Sequence, residues 1–247
     1  MKILATYSIK GGVGKTTSAV NLAYEAARAG ARVLVWDLDP QAAASYFLRA
    51  KPKLKGGADR LVSNRGELDP HIRSTEFAAI NVIAADFSLR NLDVVLDDVK
   101  KPVERLGRLL APIADRYDVA LLDCPPSISL ASESVFGAAD ALLVPTIPTP
   151  LSARTLTQLT EFLADWDEPP LVMPYLSMLD RRRSLQRDIA AQLHNEWANM
   201  LDTDIPSASI IERMSHERAP VGALAPKSAA ARAYRSLWAE ISRRIWR

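Results

Sequence analysis

The segment Ile9-Lys10-Gly11-Gly12-Val13-Gly14-Lys15-Thr16-Thr17 has the residue types and spacing needed to hold a phosphate chain. Gly11, Gly12 and Gly14 lack a Cβ, so backbone N–H groups can turn toward phosphate oxygens and approach them closely. Val13 is the one side chain inside that glycine turn. Lys15 offers a point positive charge to the β- and γ-phosphates of a nucleotide. Thr16 offers a hydroxyl to Mg²⁺, and Thr17 a further donor near the α-phosphate. The ordinary loop pattern has a glycine where Ile9 stands. What remains is Lys-Gly-Gly-x-Gly-Lys-Thr, and one lysine is enough for one nucleotide. Lys10 therefore needs a separate explanation.

Two carboxylate groups belong to the same chemistry. Arg32-Val33-Leu34-Val35-Trp36 runs into Asp37-Leu38-Asp39-Pro40-Gln41. A period of two puts Asp37 and Asp39 on one side at the strand's carboxyl end, the edge where open parallel sheets bind ligands. Val119-Ala120-Leu121-Leu122 runs into Asp123-Cys124-Pro125-Pro126. Four apolar residues and an Asp form a Walker B pattern, with Asp123 near Mg²⁺ through water.

These residues need an α/β frame to bring them together. Ile3 to Ser8 reads as a strand, and Thr17 to Ala29 as a helix rich in Ala, Leu and Glu that stops at Gly30. Further apolar strand candidates recur near Val33, Asn81-Val82-Ile83, Val119, Ala141 to Val144 and Leu171-Val172-Met173, with helical stretches between them. That rhythm predicts a doubly wound, mostly parallel sheet with helices on both faces, in one domain spanning 1–247. Pro and charge mark loops around Lys51 to Gly57 and at Glu168-Pro169-Pro170.

The order of the motifs resembles the ParA group of deviant Walker-A ATPases, which position plasmids, chromosomes and other cargo. Lys10 through Thr17, Asp37 through Gln41 and Asp123 through Ser127 carry the resemblance. Leu142-Leu143-Val144-Pro145, Met178-Leu179-Asp180-Arg181-Arg182 and Pro226-Lys227-Ser228 with Tyr234, Leu237 and Glu240 extend it. The resemblance implies ATP and Mg²⁺ as ligands and an ATP-bound homodimer. It makes Lys10 the signature lysine, reaching the partner's nucleotide across the interface as an arginine finger does. It makes Asp39 the catalytic residue that positions the attacking water. It also implies a cargo-bound partner protein that stimulates hydrolysis. The chain departs from the pattern at Ile147-Pro148-Thr149-Pro150 and at Ile205 to Ser209, which leaves Pro206 as the one adenine-side candidate.

Bulk properties narrow the remaining choices. The whole chain carries +2. From Arg181 onward, twelve Lys/Arg oppose seven Asp/Glu, a local surplus of five, and the rest carries a deficit of three. A basic portion of about 181–247 on an acidic body suggests a polyanion surface. No helix-turn-helix segment is expected before the first strand, so DNA contact would be non-specific, through phosphates. The resemblance marks Lys227 as a basic position used for DNA, followed by Arg182 and Arg232. No apolar run reaches a membrane span's length, and Met1 begins the first strand rather than a signal peptide. A cytoplasmic, nucleoid-associated protein is expected. The single cysteine, Cys124, excludes an internal disulfide and argues against a thiolate-held metal cluster. His71, His194 and His216 have no paired ligand spacing. A phosphate-transferring enzyme would need an acceptor site, and none is visible.

One alternative stays open. Tyr234, Leu237, Trp238, Ile241 and Ile245 fall at helical spacing, with Arg232, Arg235, Arg243 and Arg244 on other faces. Such a basic amphipathic helix can lie on a membrane, and the related MinD proteins end that way. The stripe also suits packing against the body, and Tyr234, Leu237 and Glu240 match a packed terminal helix.

Overall fold

Runs of apolar residues in a sheet covered on both faces become strands buried throughout. In the computed structural model, which describes residues 1–51, 53–63 and 67–246, seven strands form one sheet, six of them largely buried apolar runs and the seventh a short, largely exposed strand at one edge. They are β1 (Lys2–Thr6), β2 (Val33–Asp37), β3 (Ile72–Ser74), β4 (Ile80–Ile83), β5 (Val119–Asp123), β6 (Ala141–Thr146) and β7 (Leu171–Leu176). The order across the sheet is β3-β4-β2-β5-β1-β6-β7, and every pairing is parallel except β3 with β4. Strand alternation divides the core. Leu34, Trp36, Ala120, Leu122, Leu142 and Val144 face one layer of helices. Val33, Val35, Val119, Leu121, Ala141 and Leu143 face the other.

The first layer holds α3 (Gly57–Val62), α4 (Leu92–Asp97), α5 (Arg105–Leu110), α6 (Leu130–Ala138) and α7 (Pro150–Leu163). The second holds α1 (Lys15–Arg28), α2 (Ala43–Phe47), the short helices α9 (Ser209–Glu212), α10 (Met214–Glu217) and α11 (Val221–Leu224), and the terminal α12 (Ala229–Ile245). Between them in sequence, α8 (Ser184–Glu196) covers a smaller cluster of Leu176, Leu179, Ile189, Leu193 and Met200. The predicted sheet with helices on both faces is what forms. Each fully buried Val, Leu or Ile contributes about 1.5–3 kcal/mol to holding the layers together.

Two boundaries differ from expectation for physical reasons. Helix α1 begins at Lys15 rather than Thr17, because Gly14 turns the chain at φ 95° directly before it. Strand β2 stops at Asp37, so Asp39 sits beyond the strand, with its N–H held by the Asp37 carboxylate at 3.2 Å. Helix α1 ends as predicted, with Gly30 at φ 95° donating its N–H to the Ala27 carbonyl.

Helix α12 is packed. Tyr234, Leu237, Trp238 and Ile241 are buried against the sheet layer that includes α1. Glu240 fastens it: its carboxylate accepts the N–H of Asp202 at 2.8 Å and of Thr203 at 3.0 Å, and Arg244 pairs with it at 3.0 Å. Ile245 and Trp246 follow, and Arg247 lies outside the described residues.

Candidate functional site

The register of the sheet assembles the acidic part of the site. Asp123 is level with Thr6 on β1 and with Asp37 on β2, so strand ends place both carboxylates on one edge. Strand β1 lies between β5 and β6, and its carboxyl end leads into the glycine loop. That is a topological switch point, where open α/β sheets bind ligands.

Within the loop, Gly12 and Gly14 take φ of 71° and 95°. A Cβ on Gly14 would sit 3.1 Å from Ser177 Oγ, so the segment after β7 forms one wall of the loop. Lys15 is only 7% exposed and its ammonium donates to the Lys10 carbonyl at 3.2 Å. Burial lowers its pKa, while Asp123, Cys124 and Asp39 act in the opposite sense. Lys10 is half-buried, and its ammonium has no ion-pair partner among the described residues. Val13 is buried beneath the turn, and Thr16 and Thr17 are partly open at the start of α1.

Asp123 is fully buried. Its Oδ1 accepts from Thr6 Oγ1 at 3.4 Å, and its Oδ2 has no hydrogen-bond partner among the described residues. Burial first, then Asp37, raises its pKa well above the carboxylate range, with Thr16 and Lys15 opposing. Asp37 is also buried and pushed up to about 6, chiefly by desolvation. Its Oδ2 accepts from Ser45 N–H at 2.8 Å and Ser45 Oγ at 2.7 Å, and its Oδ1 accepts the Asp39 N–H at 3.2 Å. Asp37 is thereby spent on holding the turn that presents Asp39. Asp39 Oδ1 accepts the Gln41 N–H at 2.9 Å, and its Oδ2 has no partner among the described residues.

A buried carboxylate oxygen with no partner, beside a threonine hydroxyl, is a donor set suited to a hard cation that takes its other ligands from water and phosphate. Among the described residues no group of three His, Cys, Asp or Glu side chains could hold a metal alone. Cys124 is buried, and burial pushes its thiol well up, so it packs rather than reacts.

Several positioning groups carried no signal in the sequence pattern. Ser45, on the short helix α2, orients Asp37 at the end of β2. The Tyr7 hydroxyl donates to the Ser127 carbonyl at 2.8 Å and ties β1 to the loop after Asp123. The departure at Ile147 to Pro150 has a structural use: Thr149 caps α7 by accepting the Ser152 N–H, and Pro150 opens the helix.

Pro206 pairs with Leu179 and borders a groove of about 530 Å³ with Arg182, Ala229 and Ala233. No residue of Lys10 to Thr17 lines that groove. The basic portion is less free than its count implies. Arg182 forks onto Asp180 at 2.9 and 3.0 Å, which holds Asp180 down at about 2. Arg181 pairs with Asp204 at 2.7 Å, Arg213 with Glu217 at 3.3 Å, and Arg235 with Glu25 at 3.4 Å. Arg232 donates to the Lys227 carbonyl. Lys227 itself is exposed, with no ion pair among the described residues.

A glycine loop at the switch point, a buried lysine and an aspartate at the end of the adjacent strand define a P-loop nucleoside-triphosphatase fold. Residues 1–169 match the AAA_31 family, an AAA domain. An uncharacterised protein of Pseudomonas putida is 33% identical over 250 residues, covering 98% of this chain and 95% of its own length. The chromosome partitioning protein ParA of Caulobacter vibrioides is 31% identical over 251 residues, covering 98% and 94%. Among solved structures, cobyrinic acid a,c-diamide synthase of Mycobacterium smegmatis, with a bound ATP analogue and magnesium, superposes with a TM-score of 0.82 at 25% identity, covering 98% of this chain and 95% of that one. The chain belongs to the ParA/MinD superfamily of partitioning and positioning ATPases.

Proposed function

We propose that this protein is an ATPase whose ATP-bound form dimerises, binds DNA without sequence preference and positions or segregates a cargo. A partner protein on that cargo stimulates a slow hydrolysis and releases the complex. The observation that carries the reading is the pair of lysines at one loop, Lys15 buried beside Asp123 and Lys10 without a partner of its own.

Lys10, Gly11, Gly12, Val13, Gly14, Lys15, Thr16 and Thr17 bind the phosphates, with Lys15 on the β- and γ-groups. Thr16, with Asp123 and Asp39 through water, would hold Mg²⁺, which would supply positive charge against the charge developing on the phosphates. Asp39 orients the attacking water through the oxygen that Gln41 leaves open. The water oxygen bonds to the γ-phosphorus as the bond to the bridging oxygen breaks, giving ADP and phosphate. Lys10 of each subunit reaches the partner's nucleotide and offsets the charge of two triphosphates brought together. Pro206 borders the adenine side.

DNA is met through Lys227, with Arg232 and Arg182 beside it. Arg182 must leave Asp180 to contribute, so Lys227 matters most. The buried apolar face of α12 disfavours the membrane-surface alternative, since a docked helix buries that face in lipid. No helix among the described residues is long and apolar enough to cross a membrane.

Co-sedimentation tests this. With ATP and Mg²⁺ the protein is expected on non-specific duplex DNA, lost steeply as salt rises, and absent from anionic vesicles. Lys227→Glu is expected to lose DNA while still forming the ATP dimer. Retention on vesicles but not DNA would overturn the reading in favour of the membrane alternative.

A further inference from the structure

The net deficit of charge ahead of Arg181 hides a local concentration of cations. Arg49, Lys51, Lys53, Lys55 and Arg73 line a hollow of about 380 Å³ beside β3, and no carboxylate among the described residues lines it. Lys51, Lys53 and Lys55 alternate along a segment whose Leu54 is buried and whose Leu54 N–H is held by Asp86 at 2.8 Å. The backbone is thus anchored at Leu54 while Lys51, Lys53 and Lys55 stand exposed. None of the three has an ion pair among the described residues. The field reaches inward as well. Burial first, and then Arg73, Arg60 and Lys55, lower the pKa of the nearby buried His71. Like charges gathered with one carboxylate against them, Glu76 on Arg49, raise one another's energy, and an incoming polyanion relieves this.

Arg49 joins the hollow to the carboxyl-terminal basic portion. Its guanidinium pairs with Glu76 at 2.6 Å and donates to the carbonyls of Arg218 at 3.0 Å and Glu217 at 3.2 Å. From Arg218 the chain runs through α11 to Lys227. Charge on an edge strand such as β3 also discourages strand pairing, which accounts for Arg73. It does not account for three lysines on a segment that pairs with no strand.

We propose that this hollow is a second docking site for the phosphate backbone of duplex DNA, acting with Lys227. The proposal rests on the DNA-binding reading above and adds to it a contact outside the carboxyl-terminal portion. DNA is favoured over a lipid surface because the remaining lining is Ala50 and Ser74. A membrane-docking element sets large apolar side chains beside its cations.

The test is the full chain carrying Lys51→Gln, Lys53→Gln and Lys55→Gln together. Anisotropy of a labelled, mixed-sequence duplex is followed across a salt series with ATP and Mg²⁺. The triple variant is expected to bind about tenfold more weakly at moderate salt, with the slope of log K against log salt smaller by about 3, one unit per lysine. Its thermal midpoint should not fall below that of the unaltered protein, because the three side chains have no ion pair among the described residues to lose and their mutual repulsion is relieved. Arginine at the same three positions should keep both affinity and slope. Unchanged affinity and slope in the glutamine variant, with loss in Lys227→Glu, would overturn the hollow and leave the DNA reading standing. Failure of the unaltered protein to bind DNA would overturn both. Loss of anionic-vesicle binding alone would assign the hollow to lipid and overturn the proposal.

Discussion

Glu240→Ala tests whether α12 is fastened to the body as the packing requires. Glu240 is 6% exposed and serves three donors: Asp202 N–H, Thr203 N–H and the Arg244 guanidinium. Hydrogen bonds to a charged acceptor contribute about 1.5–3 kcal/mol each. Truncation removes two of these from backbone groups that water can partly reach, since Asp202 is exposed and Thr203 half-buried. Arg244 keeps its bonds to the Asn199 and Met200 carbonyls, so the broken ion pair adds little. The expected loss is about 3 kcal/mol, the low end of the sum. For a chain of this size that corresponds to a fall of about 6–12 °C in Tm. Differential scanning calorimetry is the assay, and Glu240→Gln should fall about halfway because its amide oxygen still accepts one N–H. A fall under about 2 °C would refute the reasoning, because a helix so loosely held could release its apolar face.

Lys15→Ala is expected to abolish nucleotide binding, read by titration with a fluorescent ATP analogue; retained affinity would remove Lys15 from the phosphates. Asp39→Ala is expected to bind ATP and dimerise with hydrolysis reduced to a small residue. Normal phosphate release from that variant would take Asp39 out of the water-positioning role. Its fold should be intact, because Asp39 gives up only the Gln41 N–H contact.

Much of the site was legible because its chemistry depends on adjacency. The glycine loop, Lys10, Lys15 and the aspartates at strand ends are local patterns, and register alone brings Asp37 and Asp123 level. The buried stripe of α12 was legible from its 3.6-residue period, and its partner face was not. Strand β3 could not be read: three residues, Ile72 to Ser74, carry no periodicity and follow a turn. Ser45 was silent because a lone serine means nothing until the turn at Asp39 folds it against Asp37. The pairing within the basic portion was silent for a related reason. Counting charge does not reveal that Asp180, Asp204, Glu25 and Glu240 already neutralise arginines there. The same summation concealed Lys51, Lys53 and Lys55 inside a segment with a net deficit.

The central claim is that Lys10 makes dimerisation depend on ATP. Light scattering behind size exclusion, with ATP and Mg²⁺ on an Asp39→Ala background to prevent turnover, tests it directly. The account predicts a mass of two chains for Asp39→Ala and of one chain when Lys10→Ala is added, with ATP binding preserved in both. A two-chain mass that persists without Lys10 would contradict it.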